Sequence, residues 1–134
     1  MGGMVMTTEI RMLAWVIALG IVQLLLAATL STQQRGLTWN VSARDRVPTP
    51  LTGVAARMDR AFGNLMETFP FFAAAVLAVV LTGRNDGTSA LGAQLFFWGR
   101  LIYVPLYAFG IPYLRTAVWT VSLIGLLMVL LALF

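Results

Sequence analysis

The sequence predicts an all-α fold, an integral membrane four-helix up-down bundle, and three observations carry that reading. Apolar residues make up 60% of the chain and charged ones only 10%, outside the range of ordinary water-soluble domains. Nearly all the apolar residues fall in four stretches, each close to the ~20 residues that cross a hydrocarbon core of ~30 Å. The connections after the second and third stretches are very short, which makes consecutive helices antiparallel neighbours. Four spans in 134 residues leave no room for a soluble domain, so residues 1–134 read as one membrane domain with helices at about 8–30, 54–82, 89–109 and 112–133.

The first helix is an apolar run from Met12 to Leu30, broken only by Gly20, Gln23 and Thr29. A signal peptide has a shorter apolar core of ~7 to 15 residues and a small-residue cleavage site, so this run reads as a retained helix. From Ser31 to Gly53 the residues include Gln33, Gln34, Arg35, Asn40, Arg44, Asp45, Arg46, Pro48 and Pro50, with neither periodicity nor apolar mass. That segment reads as an aqueous loop. The second helix starts near Val54 and ends at the turn signal Gly83-Arg84-Asn85-Asp86-Gly87. Pro70 lies inside it and leaves the carbonyl of Met66 without its usual donor, which predicts a bend. The third helix carries Arg100 near its middle, and Gly110 to Pro112 connect it to the fourth.

Arginine placement predicts orientation, because short loops rich in Arg or Lys stay in the cytoplasm. The first loop holds Arg35, Arg44 and Arg46, with Arg57 and Arg60 just beyond it, and Arg115 lies beside the third loop. The opposite side has Arg11 and Arg84, offset by Glu9 and Asp86. Both termini are therefore expected outside and loops one and three in the cytoplasm, in the inner membrane if the source is bacterial. All nine basic residues are arginine, and histidine and cysteine are missing, which excludes histidine acid–base work, thiol nucleophiles and disulfides supplied by the chain itself. A net charge of +4 could suggest nucleic acid, but the arginines sit at helix ends or inside spans and build no solvent-facing basic surface, so no nucleic-acid partner is expected.

Residues three, four and seven apart share a helix face, so Arg57, Arg60, Asn64 and Glu67 form a polar stripe on the second helix and Arg100, Tyr103 and Tyr107 form another on the third. At ~1.5 Å per residue, Asn64 and Glu67 lie roughly 15 to 20 Å inward from Gly53, and Arg100 roughly 15 Å inward from Gly110. An isolated charge at that depth costs at least ~2.5 to 3.5 kcal/mol on insertion scales, so each is expected to face protein or a wet cavity, with Glu67 and Arg100 as the natural pair. Such a network can serve packing alone. The cations Arg57, Arg60, Arg100 and Arg115 outnumber Asp59 and Glu67, however, and leave a positive pocket suited to a polyanionic ligand. Pro70, Trp15, Trp98 and Trp119 are assigned to structure: a bend for the first, packing or lipid-interface contacts for the tryptophans. Phe69, Phe71 and Phe72 read as bundle or lipid contacts.

The run from Arg57 to Pro70, with Asn64-x-x-Glu67-x-x-Pro70, followed by Gly99-Arg100, Tyr103, Tyr107, Gly110 and Arg115-Thr116, resembles the MAPEG family, the membrane-associated proteins in eicosanoid and glutathione metabolism. Gly63 departs from the arginine that several members carry there. The resemblance implies a homotrimer of the bacterial, microsomal glutathione transferase-like type, with glutathione bound as co-substrate between protomers near the cytoplasmic side. It further implies a binding set of Arg35, Arg57, Arg60, Asn64, Glu67, Arg100, Tyr103 and Tyr107. In that set Arg60 and Arg100 hold the carboxylates, Glu67 and Asn64 the amino end, and the tyrosines donate hydroxyls. Arg115 and Thr116, with Tyr107, are implied in catalysis, stabilising a thiolate that attacks a lipophilic electrophile arriving from the bilayer. Because fold does not fix activity, two further readings stand: a non-catalytic lipid-binding or partner-supporting membrane protein, and a structural subunit of a membrane complex.

Overall fold

Each long helix begins where the sequence supplies a cap or a turn. In the computed structural model, which describes residues 5–134, the helices are α1 (Thr8–Arg35), α2 (Leu37–Val41), α3 (Gly53–Leu81), α4 (Gly87–Ala108) and α5 (Pro112–Leu131). The hydroxyl of Thr7 accepts from the Ile10 N–H at 3.1 Å to start α1. Asp86 and Ser89 close a reciprocal capping box at the start of α4, with bonds of 2.9 and 2.8 Å. Pro112 opens α5, where a missing N–H costs nothing. Gly110, at φ 71°, makes the reversal between α4 and α5 that a side chain would resist.

Helices α1, α3 and α5 are long and apolar enough to cross a membrane. Helix α4, of 22 residues with Gln94 and Arg100 inside it, is not among these three. The segment read as a plain loop is more ordered than composition suggested. Helix α1 continues past Leu30 to Arg35, because Thr32, Gln33, Gln34 and Arg35 include good helix formers and the Gly36 N–H caps the Thr32 carbonyl at 2.8 Å. The short α2 follows. The two ends of the connection are tied together: Gln34 Nε2 donates to the Thr52 carbonyl and Gln34 Oε1 accepts from the Thr52 N–H, both at 3.0 Å. Helix α3 runs through Pro70 as one element.

Helices α4 and α5 make the closest pairing in the fold; α1 packs on α3 and α4, and α3 also reaches α4 and α5. Small residues allow the α4–α5 approach. A Cβ added to Gly92 would stand 2.5 Å from the Gly125 carbonyl oxygen, and one on Gly99 would stand 2.9 Å from Ser122 Cβ. Between α1, α3 and α4 the core gathers Leu13, Val16, Leu65, Phe72 and Phe96, the last two stacked at 4.0 Å between ring centres and 9° between planes. Glu9, read from sequence only as an offsetting charge, is buried and accepts from the Ser89 hydroxyl. It therefore pins the first turn of α1 to the first turn of α4, the helix end whose dipole favours a carboxylate.

Candidate functional site

At the opposite end of α4 from that contact, the polar residues of α3, α4 and α5 converge. Asn64, Tyr103, Tyr107, Arg115, Thr116 and Trp119 line a cavity of about 300 Å³. Its floor is fixed by Arg100, which is 1% exposed and donates from Nη1 to Asn64 Oδ1 at 2.7 Å. The same oxygen accepts from Trp119 Nε1 at 3.0 Å. One amide oxygen thus joins three helices. The expected Glu67–Arg100 pair is not formed: Asn64, one turn earlier on α3, takes the guanidinium, and Glu67 points outward on an exposed part of α3. Asn64 and Glu67 share a stripe, but only Asn64 lies on the side of it that meets α4.

Tyrosine and arginine alternate above this floor. The Arg100 guanidinium lies 4.6 Å from the ring centre of Tyr103, and that of Arg115 lies 4.4 Å from the ring centre of Tyr107, within the range of cation–π attraction. The two tyrosine rings meet edge to face at 5.4 Å. Arg60 Nε donates to the Tyr107 hydroxyl at 3.1 Å from the exposed side of α3. Arg115 and Thr116 stand on the first turn and a half of α5, placed over Tyr107 by the tight reversal at Gly110.

Two residues of the implied binding set serve elsewhere in this chain. Arg57 donates from Nε to the Ala108 carbonyl at 2.8 Å, satisfying the free C-terminal end of α4. Arg35 donates from Nε to the Thr49 carbonyl at 2.9 Å and holds the first connection together. The structure therefore brings Arg60, Asn64, Arg100, Tyr103, Tyr107, Arg115 and Thr116 together, and leaves Arg35, Arg57 and Glu67 outside the cavity wall. Trp119, assigned from sequence to packing, belongs to the wall. The signal for it was present: it lies four residues after Arg115 and three after Thr116, on the same helix face.

A second cavity is of opposite character. Phe71, Ala74 and Ala78 of α3 and Leu123, Leu127 and Leu130 of α5 border an apolar groove of about 490 Å³.

Comparison with curated proteins gives no match, and comparison with solved structures gives none. The model of one family does match, over residues 12–134, which takes in all four long helices apart from the first turn of α1 and includes every residue of the polar cavity. The chain belongs to the MAPEG family.

Proposed function

We propose that this protein is a membrane glutathione transferase or peroxidase that joins a glutathione thiolate to a lipophilic electrophile. The observation that carries the reading is the cationic, hydroxyl-rich cavity between α3, α4 and α5, in a chain of this family. Glutathione bears two carboxylates and one ammonium. Arg60, Arg100 and Arg115 supply positive charge around the cavity, and Glu67, on the open side of α3, is the carboxylate available to an ammonium. A free thiol has a pKa of ~8.5, and a cation with hydroxyl donors lowers it enough to populate the nucleophile at neutral pH. Arg115 is the cation assigned to that role, with Thr116 and Tyr107 beside it.

In this reading α4 is the fourth span, giving an up-down four-helix bundle. Its 22 residues reach about 33 Å, and Arg100 is turned inward and buried rather than facing lipid. The exposed face of α3 supports a homotrimer. Asp59, Arg60 and Glu67 are exposed there, a Cβ on Gly63 meets nothing within 4 Å, and charges at that depth require protein or water rather than lipid. A second copy of the chain against this face would enclose the cavity and bring glutathione between protomers.

Stopped-flow mixing of the detergent-purified protein with glutathione tests the proposal directly. A rise in thiolate ultraviolet absorbance at neutral pH is expected, and a correctly inserted protein that gives none would defeat it. The apolar groove between α3 and α5 favours the second reading, a lipid-binding or partner-supporting protein, since its walls suit an acyl chain and nothing charged.

A further inference from the structure

The connection between α1 and α3 combines positive charge with exposed apolar side chains that an aqueous loop does not need. Gln34 and Arg35 at the end of α1 hold Thr52 and Thr49 just before α3, so the residues between them stay beside the ends of two membrane-spanning helices. Within that segment Leu37, Val41 and Val47 are exposed. Leu37 and Val41 stand four residues apart on α2 and share one of its faces, with Thr38 and, just past the helix end, Ser42 on the adjoining face. On that side lies a cavity of about 370 Å³ whose walls include Thr38, Trp39, Ser42, Arg44 and Arg46.

Arg44 is built into this wall. Its φ is 60°, in the left-handed region that a long side chain rarely adopts. Its own bonds hold it there: the backbone N–H donates to Ser42 Oγ at 3.2 Å, and Nη2 donates to the Asn40 carbonyl at 2.9 Å and to Asn40 Oδ1 at 2.7 Å. One terminal nitrogen is thus committed, and Nε and Nη1 remain for another acceptor. Arg46 is exposed beside it and lines the same cavity, and Asp45 is the one acid in the segment.

We propose that the first connection is an interfacial seat for an anionic phospholipid, with the lipid phosphate held by Arg44 and Arg46 in the Trp39 cavity and with Leu37 and Val41 set into the acyl boundary. Guanidinium groups pair strongly with phosphate oxygens, and tryptophan and aliphatic side chains on a short helix suit the depth at which headgroups meet hydrocarbon. Arginine-rich connections of this kind face the cytoplasm, whose leaflet carries the anionic lipid. A soluble phosphate would account for the arginines and leave the apolar side chains in water. The seat shares no residue with the polar cavity between α3, α4 and α5, so it stands whether or not glutathione binds there.

Native mass spectrometry of the full-length protein in detergent tests this by counting bound lipid as dioleoyl phosphatidylglycerol or dioleoyl phosphatidylcholine is titrated in, with soluble glycerol 3-phosphate as competitor. The wild type is expected to prefer the anionic lipid about tenfold or more, and glycerol 3-phosphate should not displace it. Arg46→Gln removes a charge and leaves the Asn40–Arg44 bonds in place; it should weaken phosphatidylglycerol about fivefold and leave phosphatidylcholine unchanged. Arg44→Asn, a residue that tolerates the left-handed backbone, should do the same. Arg84→Gln, an exposed arginine in the turn at the other end of α3, is expected to change nothing. Equal binding of the two lipids by the wild type, or a preference that survives both Arg44→Asn and Arg46→Gln, would overturn the proposal. So would an equal loss in Arg84→Gln, which would make the preference an effect of net charge, and displacement by glycerol 3-phosphate, which would make the cavity a site for soluble anions.

Discussion

The separation of roles among the arginines follows from what each one touches. Arg57 caps a helix, Arg35 closes a loop, Arg100 supports Asn64, and Arg115 stands over Tyr107 at the cavity wall. Arg115→Ala is expected to leave glutathione affinity largely intact while lowering conjugation at neutral pH about tenfold for each unit by which the bound thiol pKa rises, since one unit is worth ~1.4 kcal/mol. Activity should recover in part as pH increases, because hydroxide then makes the thiolate that the guanidinium no longer stabilises. A correctly inserted variant that still forms thiolate as fully as wild type would remove Arg115 from the mechanism. A second residue-level test concerns the inner network. Double-mutant cycles of stability should show Asn64→Ala and Arg100→Ala coupled by about 0.6 to 1.7 kcal/mol, the range of interhelical polar contacts in membranes, and Glu67→Ala and Arg100→Ala nearly additive. The identities of these residues were legible in the sequence from their three- and four-residue spacing. Their partners were not, because a stripe specifies which residues share a face and leaves open which of them the next helix meets. Charge argued for Glu67 against Arg100, whereas the approach of α4 and α5 selected Asn64.

Helix packing explains why that selection falls where it does. Gly99 precedes Arg100, and its missing side chain lets α5 approach until Ser122 lies against it. Trp119, one turn earlier on α5, then reaches Asn64. Gly99→Leu should drive the two helices apart, costing about 1 to 3 kcal/mol of stability by overpacking, and should abolish thiolate formation along with the Trp119–Asn64 bond. Thermal unfolding monitored by tryptophan fluorescence, paired with the thiolate assay, reads both effects; a stable variant with full thiolate signal would show that the close approach does not serve the site. The existence of the four long helices was plain from apolar runs and from Pro, Gly and Asp turn signals at 83–87 and 110–112. Less plain were the extension of α1 to Arg35, built from polar residues with adequate helix propensity, and the tethering of the first connection by Gln34 and Thr52. Side-chain to backbone bonds across 18 residues of sequence leave no periodic trace.

At the scale of the whole molecule, the cavity, the exposed α3 face and the arginine bias have to agree with one orientation in the membrane. Gly63→Leu places a large side chain where the protomer has open space, so the isolated fold tolerates it; native mass spectrometry should then show fewer trimers and more monomers, and an unchanged trimer would move the interface off this face. Orientation is testable because the chain has no cysteine, which makes any introduced thiol a unique reporter. The arginines of the first connection, Arg35, Arg44 and Arg46, and Arg115 beside the third lie at the same end of the helices as the polar cavity, while Glu9, Ser89 and Asp86 meet at the other end. Short arginine-rich connections are retained in the cytoplasm, so the cavity should open toward the compartment that holds reduced glutathione. Ser42, exposed on the first connection, and Asn85, in the turn between α3 and α4, sit at these two ends. In intact cells a membrane-impermeant maleimide should label Asn85→Cys and should reach Ser42→Cys only after permeabilisation. The reversed pattern would put the cavity on the outer side, where the tripeptide would have to be supplied from outside the cell, and equal labelling of both would mean that the arginine bias leaves the chain in mixed orientations. The expected pattern instead gives the site two separate routes, water on the cytoplasmic side for the anionic tripeptide and the lipid-facing flanks of α3 and α5 for an apolar partner.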